Sequence, residues 1–147
     1  MVKHFRQDPW YKDGLCFECT RCGDCCGGEP GVVVVNAQEI AVLARRLGVE
    51  EDLFRRRYVR RLDGGALSLK EKDNYDCVFY QRDQGCSVYS DRPRQCRTWP
   101  FWGKIVATRR SWEWTARKCP GMNRGARRSR REIEESAAND GTHGGWD

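Results

Sequence analysis

Phe17-Glu18-Cys19-Thr20-Arg21-Cys22-Gly23-Asp24-Cys25-Cys26-Gly27-Gly28 places four thiols within eight residues. The residues between them are polar or glycine, so no apolar packing explains the cluster. The glycines let the backbone turn until sulfurs converge. A C-x2-C step sets two thiolates on one metal, as in zinc sites and iron–sulfur loops. Adjacent side chains such as those of Cys25 and Cys26 usually point in divergent directions, which suits two centres, or opposite sides of one cluster, better than one tetrahedral ion.

Outward from this stretch, four more cysteines follow: Cys77, Cys86, Cys96 and Cys119, the last directly before Pro120. Eight thiols are the count for two four-thiolate sites. One partition joins Cys19, Cys22, Cys25 and Cys119, similar to the bacterial ferredoxin run in which a separate cysteine precedes a proline. It leaves Cys26, Cys77, Cys86 and Cys96 for a second site, although spacing alone does not determine connectivity. Cys16 stands outside the cluster and is expected to be a bystander. Cys77, beside Val78 and Phe79, reads equally well as a small core residue. The cofactor is an iron–sulfur cluster, 4Fe-4S in type, or Zn(II). Three ligands on one short loop lean toward the cluster, since they suit three corners of a cubane.

Composition agrees. The chain of 147 residues has 9 cysteines, 39% hydrophobic and 33% charged residues, and a net charge of +6. Such a chain builds a small core, and bound metal offsets chain entropy that the core does not cover. The segment from Met1 to Lys12 has no apolar region of the signal-peptide type, and no run of apolar residues reaches membrane-spanning length. The expected compartment is therefore the cytoplasm, where thiols stay reduced. His4 and His143 lie at the chain ends, which speaks against a Cys/His finger or a histidine-centred catalyst. No phosphate-binding glycine loop or nucleophile elbow occurs, and no catalytic residue is identifiable.

Around the cysteines the pattern is mixed. Residues 16–31 read as irregular and Val32–Val35 as a strand. Asn36 caps a helix with Glu39 three positions on, Ile40, Leu43, Ala44 and Leu47 share its inner face, and Gly48 ends it. Residues 50–61 read as a second helix with Leu53, Phe54 and Tyr58 inward. Ala66–Lys72 is extended, and residues 75–90 form a hairpin around Asp83-Gln84-Gly85. A helical turn opens at Arg92-Pro93 and stops at Trp99-Pro100. Residues 104–118 are extended or helical. Residues 129–137 form a helix capped by Ser129, and residues from Asn139 onward fray.

Arg97, beside the candidate thiolate Cys96, is a candidate cofactor-contacting residue that offsets thiolate charge by hydrogen bonds to sulfur. Its alternative is an ion pair with Asp91 or Asp76. Trp99, Phe101 and Trp102 are expected to wall the metal site. From Lys104 to Arg131 ten basic residues face the single acid Glu113. With Trp112 and Trp114 as stacking rings, this patch would suit phosphate. The acids Glu132, Glu134 and Glu135 reverse the sign at once, so nucleic acid is the weaker reading.

Taken together, FECTRCGDCCGG, the strand and helix from Val32 to Leu47, the pair Cys77 and Cys86, Val88-Tyr89 with Arg92-Pro93 and Cys96-Arg97, and Cys119-Pro120-Gly121 resemble the YkgJ-like cysteine-cluster family of zinc- or iron-chelating domains, over about residues 10–125. The resemblance implies a cytosolic metal-binding domain with Cys19, Cys22, Cys25, Cys26, Cys77, Cys86, Cys96 and Cys119 as ligands. It implies no settled reaction. A flagellin lysine N-methylase is similar in its cysteine cluster but much longer, so its catalysis does not carry over. The expected fold is α+β, a small, loop-rich, metal-stabilised single domain over residues 1–135, with short strands, two to four helices and a flexible tail over 136–147. The expected function is metal binding in a structural, redox or metal-handling role, with a redox or metal-transfer protein as partner and no membrane association. The alternatives are an enzyme related to lysine N-methylases, a cluster-dependent redox catalyst, and a zinc-stabilised nucleic-acid-binding module.

Overall fold

The computed structural model describes residues 7–20, 32–82 and 84–141. Two apolar clusters organise it. The first is built on a three-stranded antiparallel sheet in the order β2 (Val34–Val35), β4 (Leu67–Leu69), β3 (Val59–Arg61). Helices α1 (Ala37–Leu47) and α2 (Glu51–Tyr58) belong with it. Ile40, Leu43, Phe54, Leu69, Phe79 and Val88 are buried together there. Each such side chain contributes roughly 1.5–3 kcal/mol of burial.

Local chemistry accounts for α1. The Asn36 side chain accepts from the Glu39 amide at 2.8 Å, and the Glu39 carboxylate accepts from the Asn36 amide at 3.0 Å. Gly48 closes the helix in the left-handed conformation. Leu47, expected on the inner face, is instead exposed. Residues 50–61 do not stay helical. The helix stops at Tyr58, and Val59, Arg60 and Arg61 pair with Leu69, Ser68 and Leu67. Arginine and valine tolerate either state, so the available β4 edge decides. Strands β5 (Tyr80–Gln81) and β6 (Gly85–Cys86) form the expected hairpin; Asp83 of its turn lies outside the described residues.

The second cluster holds Leu15, Phe101, Ile105, Val106, Trp112, Met122 and Ile133. Residues 104–118, undecided by pattern, lie largely in α4 (Gly103–Val106) and α5 (Arg109–Ala116). Thr108 caps α5 through the Ser111 amide at 3.0 Å. Trp112 is buried, its ring stacked on Phe101 at 5.7 Å. Its indole N–H donates to the Asn123 side chain at 2.9 Å. It is therefore a core residue and not a stacking surface. Helix α6 (Arg130–Ala138) is capped by Ser129 as expected and buries Ile133. Beyond it, Asp140 is buried and accepts from the Gly103 amide at 2.9 Å; residues 142–147 lie outside the described residues.

One sheet was not legible. Strand β1 (Leu15–Phe17) pairs antiparallel with β7 (Met122–Arg128). Residues 16 and 17 are therefore regular, contrary to the irregular segment expected there. The register jumps from Cys16 opposite Arg127 to Phe17 opposite Met122, so the intervening part of β7 bulges. The α+β class stands. Among the described residues four helices have eight residues or more, and α3 (Arg94–Thr98) and α4 add short helical segments.

Gln95 on α3 joins this short helix to the first sheet. Its Oε1 accepts from the Val34 amide at 2.8 Å, and its Nε2 donates to the Val32 carbonyl at 2.6 Å. Its own carbonyl accepts from the Trp102 indole at 2.7 Å. Replacing Gln95 by Ala strands the buried Val34 amide. We expect a loss of about 2–4 kcal/mol in chemical denaturation, from unmade buried bonds worth about 1–3 kcal/mol apiece; an unchanged midpoint would refute the role given to Gln95.

Candidate metal centre

The cysteine loop is anchored at both ends by backbone contacts. At its start, the Glu18 amide donates to the Gly121 carbonyl at 3.0 Å. A Cβ on Gly121 would stand 2.0 Å from the Glu18 carbonyl oxygen, so only glycine fits. Gly125, in the β7 bulge at φ +78, is pressed as closely: a Cβ there would meet the Glu18 side chain at 2.4 Å. The Cys119-Pro120-Gly121 element thus holds the residue before Cys19. At the far end, Val32 and Val34 are held by Gln95, the neighbour of Cys96. The buried Ser68 hydroxyl accepts from the Val33 amide at 3.1 Å.

Between these anchors lies a cavity of about 500 Å³. Cys19 and Cys96 both line it, and Trp99 and Phe101 supply part of its wall. Two candidate ligands far apart in sequence therefore border one cavity. Two of the three expected wall aromatics are there; Trp102 packs against the second cluster, its ring edge-on to Trp99 at 4.9 Å.

The other cysteines are distributed. Cys77 bridges to Glu71, Cys86 stands opposite Tyr80 in the hairpin, and both pack against the first cluster. Cys119 is buried in the second cluster, 7% exposed. Cys16 sits in β1 opposite Arg127. Cys22, Cys25 and Cys26 lie outside the described residues. Among the described residues, no three His, Cys, Asp or Glu side chains stand together as a metal-binding group. Cys19 and Cys96 are the two candidate thiols that border this cavity, and such soft donors suit zinc or iron.

Arg97 lines the same cavity. The acids considered as its partners are engaged elsewhere: Asp91 accepts from Arg46 at 3.0 Å, and Asp76 from Arg82 at 3.2 Å. Arg92 and Arg128 also reach the cavity. Sequence reading missed both, along with Gln95 and Gly125. Glycine beside a candidate ligand was the only visible signal, and it did not reveal which backbone it faces.

The comparisons with known proteins bear on this geometry. Residues 18–120 match the family described as "CxxCxxCC: Putative zinc- or iron-chelating domain". The chain belongs to this family. The match begins at Glu18 and ends at Pro120, so it spans all eight candidate ligands and takes in Arg92, Arg97, Trp99 and Phe101 of the cavity. An uncharacterized protein of Methanocaldococcus jannaschii is 31% identical over 118 residues, which cover 76% of this chain and 61% of that protein. The chain thus spans less than two thirds of that relative's length. No solved structure matches. As a CxxCxxCC domain the chain has zinc or iron as its ligand class, and no described helix is long and apolar enough to cross a membrane.

The glycine contacts make a test. Gly121→Ala must displace backbone at Glu18, and we expect a loss above about 2 kcal/mol together with reduced metal retention. Gly65→Ala, where φ is +90 but no atom lies within 4 Å, should cost only about 1 kcal/mol. Thermal melts and metal analysis of the two variants would separate them; equal effects would remove the special role of Gly121.

Proposed function

We propose that this chain is a thiolate metal-binding protein whose cysteine loop carries an iron–sulfur cluster. Cys19, Cys22, Cys25, Cys26, Cys77, Cys86, Cys96 and Cys119 are the proposed ligands. The observation that supports the reading is that Cys19 and Cys96 border one cavity, beside a segment whose flanks are tied by Gly121 and Gln95. Pre-positioned sulfur lowers the ordering cost of closing a ligand shell. When bound, an iron–sulfur cluster supplies one-electron transfer or structural cross-linking.

The chain's own residues have definable tasks. Gly121 and Gln95 hold the loop ends, Trp99 and Phe101 limit water on one wall, and Arg97 donates toward thiolate sulfur. Residues 1–135 act as one metal-stabilised unit, and the expected setting is the reduced cytoplasm with a redox or metal-transfer protein as partner. Zinc is the alternative occupant, supported by the same thiol chemistry and by the family description.

Protein purified without oxygen should be brown, absorb broadly near about 400 nm through sulfur-to-iron charge transfer, and contain iron and labile sulfide. Cys22→Ser should lose metal and melting temperature together, whereas Cys16→Ser should change neither appreciably. A colourless protein with zinc would replace the cluster with the alternative, and full metal content in Cys22→Ser would overturn the ligand assignment.

A further inference from the structure

We infer that the cavity beside Cys19 and Cys96 is an anion pocket, which takes a small molecule carrying a carboxylate or phosphoryl group and grips that group with Arg92 and Arg97. A volume of about 500 Å³ suits a small organic molecule. The walls combine aromatic surface with three guanidinium groups: Phe17, Trp99 and Phe101 on one hand, Arg92, Arg97 and Arg128 on the other. Aromatic surface beside charged groups that orient the ligand is a recurrent build of a small-molecule site.

Two acids share this lining. Glu132 lies 3.9 Å from Arg128 and accepts from the Ser129 hydroxyl at 3.4 Å, and Glu18 lies beside Gly125 of the β7 bulge. Three arginines against these two acids leave the lining net positive. Arg92 and Arg97 also border a neighbouring cavity of about 450 Å³. Its acids are engaged too: Glu39 holds the Asn36 and Arg94 amides at 3.0 and 2.5 Å, and Asp91 pairs with Arg46. Among the described residues, neither Arg92 nor Arg97 has a carboxylate partner.

Arg92 is nevertheless held still. Its Nε donates to the Tyr89 carbonyl at 2.9 Å, and its guanidinium lies 3.8 Å over the Tyr89 ring. Its two terminal nitrogens are left to form the fork that binds a carboxylate or phosphoryl group bidentately. A fork ordered before binding loses little entropy when the anion arrives. Arg97, on the helix that carries Cys96, adds a second charge on the side of the thiols. An anion held by both has its remaining atoms directed into the space that Cys19 and Cys96 line. This deepens the metal-binding reading, on which the ligand's approach to a metal rests; the arginine grip itself does not.

Inorganic phosphate and malonate, titrated at low ionic strength into the protein as purified and followed by calorimetry and arginine-resolved NMR, test the pocket. We expect saturable one-site binding that weakens by about tenfold, close to 1.4 kcal/mol, in both Arg92→Gln and Arg97→Gln. Arg117→Gln on the opposite basic stretch should bind as the parent does. Preference for phosphate over malonate, or the reverse, distinguishes the phosphoryl from the carboxylate ligand. Metal content of Arg92→Gln should equal that of the parent. Unsaturable binding, equal weakening by Arg117→Gln, or loss of metal with unchanged anion affinity in Arg92→Gln each overturns the pocket. Protein that carries no metal but binds phosphate through Arg97 overturns the metal reading and keeps the pocket.

Discussion

A loop that gathers several thiols has to be held at both ends by something other than itself, because its own glycines and polar side chains supply no packing. Here a close backbone approach holds one end and a buried side-chain amide the other. Glu18 lies against Gly121 so closely that a single methyl group is excluded, and Val32 and Val34 are tied to the buried side-chain amide of Gln95. The two ties belong to different parts of the fold, one to the β1–β7 pair and one to the three-stranded sheet. Each is flanked by a further cysteine, Cys119 or Cys96. Both ties are therefore neighbours in sequence of candidate ligands.

This arrangement explains the thin core. Two apolar clusters, one around Phe54 and one around Trp112, each support one anchor. In a metal-binding domain, coordination adds to the cohesion that apolar burial supplies. The arginine-rich composition also takes on structure. Arg46 and Arg82 pair with Asp91 and Asp76, and Arg92 and Arg97, which line the cavity, have no carboxylate partner among the described residues.

Much of the candidate site was legible from residue types. The C-x2-C-x2-C-C run marks sulfur chemistry whatever surrounds it, and family membership agrees. Capping boxes and cap residues at Asn36, Gly48 and Ser129 were equally readable, because a helix terminus is determined by neighbours three or four positions away. Leu47 and the stretch from Val59 to Arg61 mark where local reading ended. Their states depend on which surface happens to pass by.

By itself, the sequence determined that this protein is a small α+β metal-binding domain, since thiol spacing, caps and apolar periodicity are local chemistry. Tertiary structure alone decided that Cys19 and Cys96 share a cavity, that Gly121 faces Glu18, and that the arginine-rich stretch Met122–Arg128 is a strand. Each of these is a long-range contact between segments whose own preferences are neutral. It takes its energy from a hydrogen bond or a close approach that no local pattern encodes.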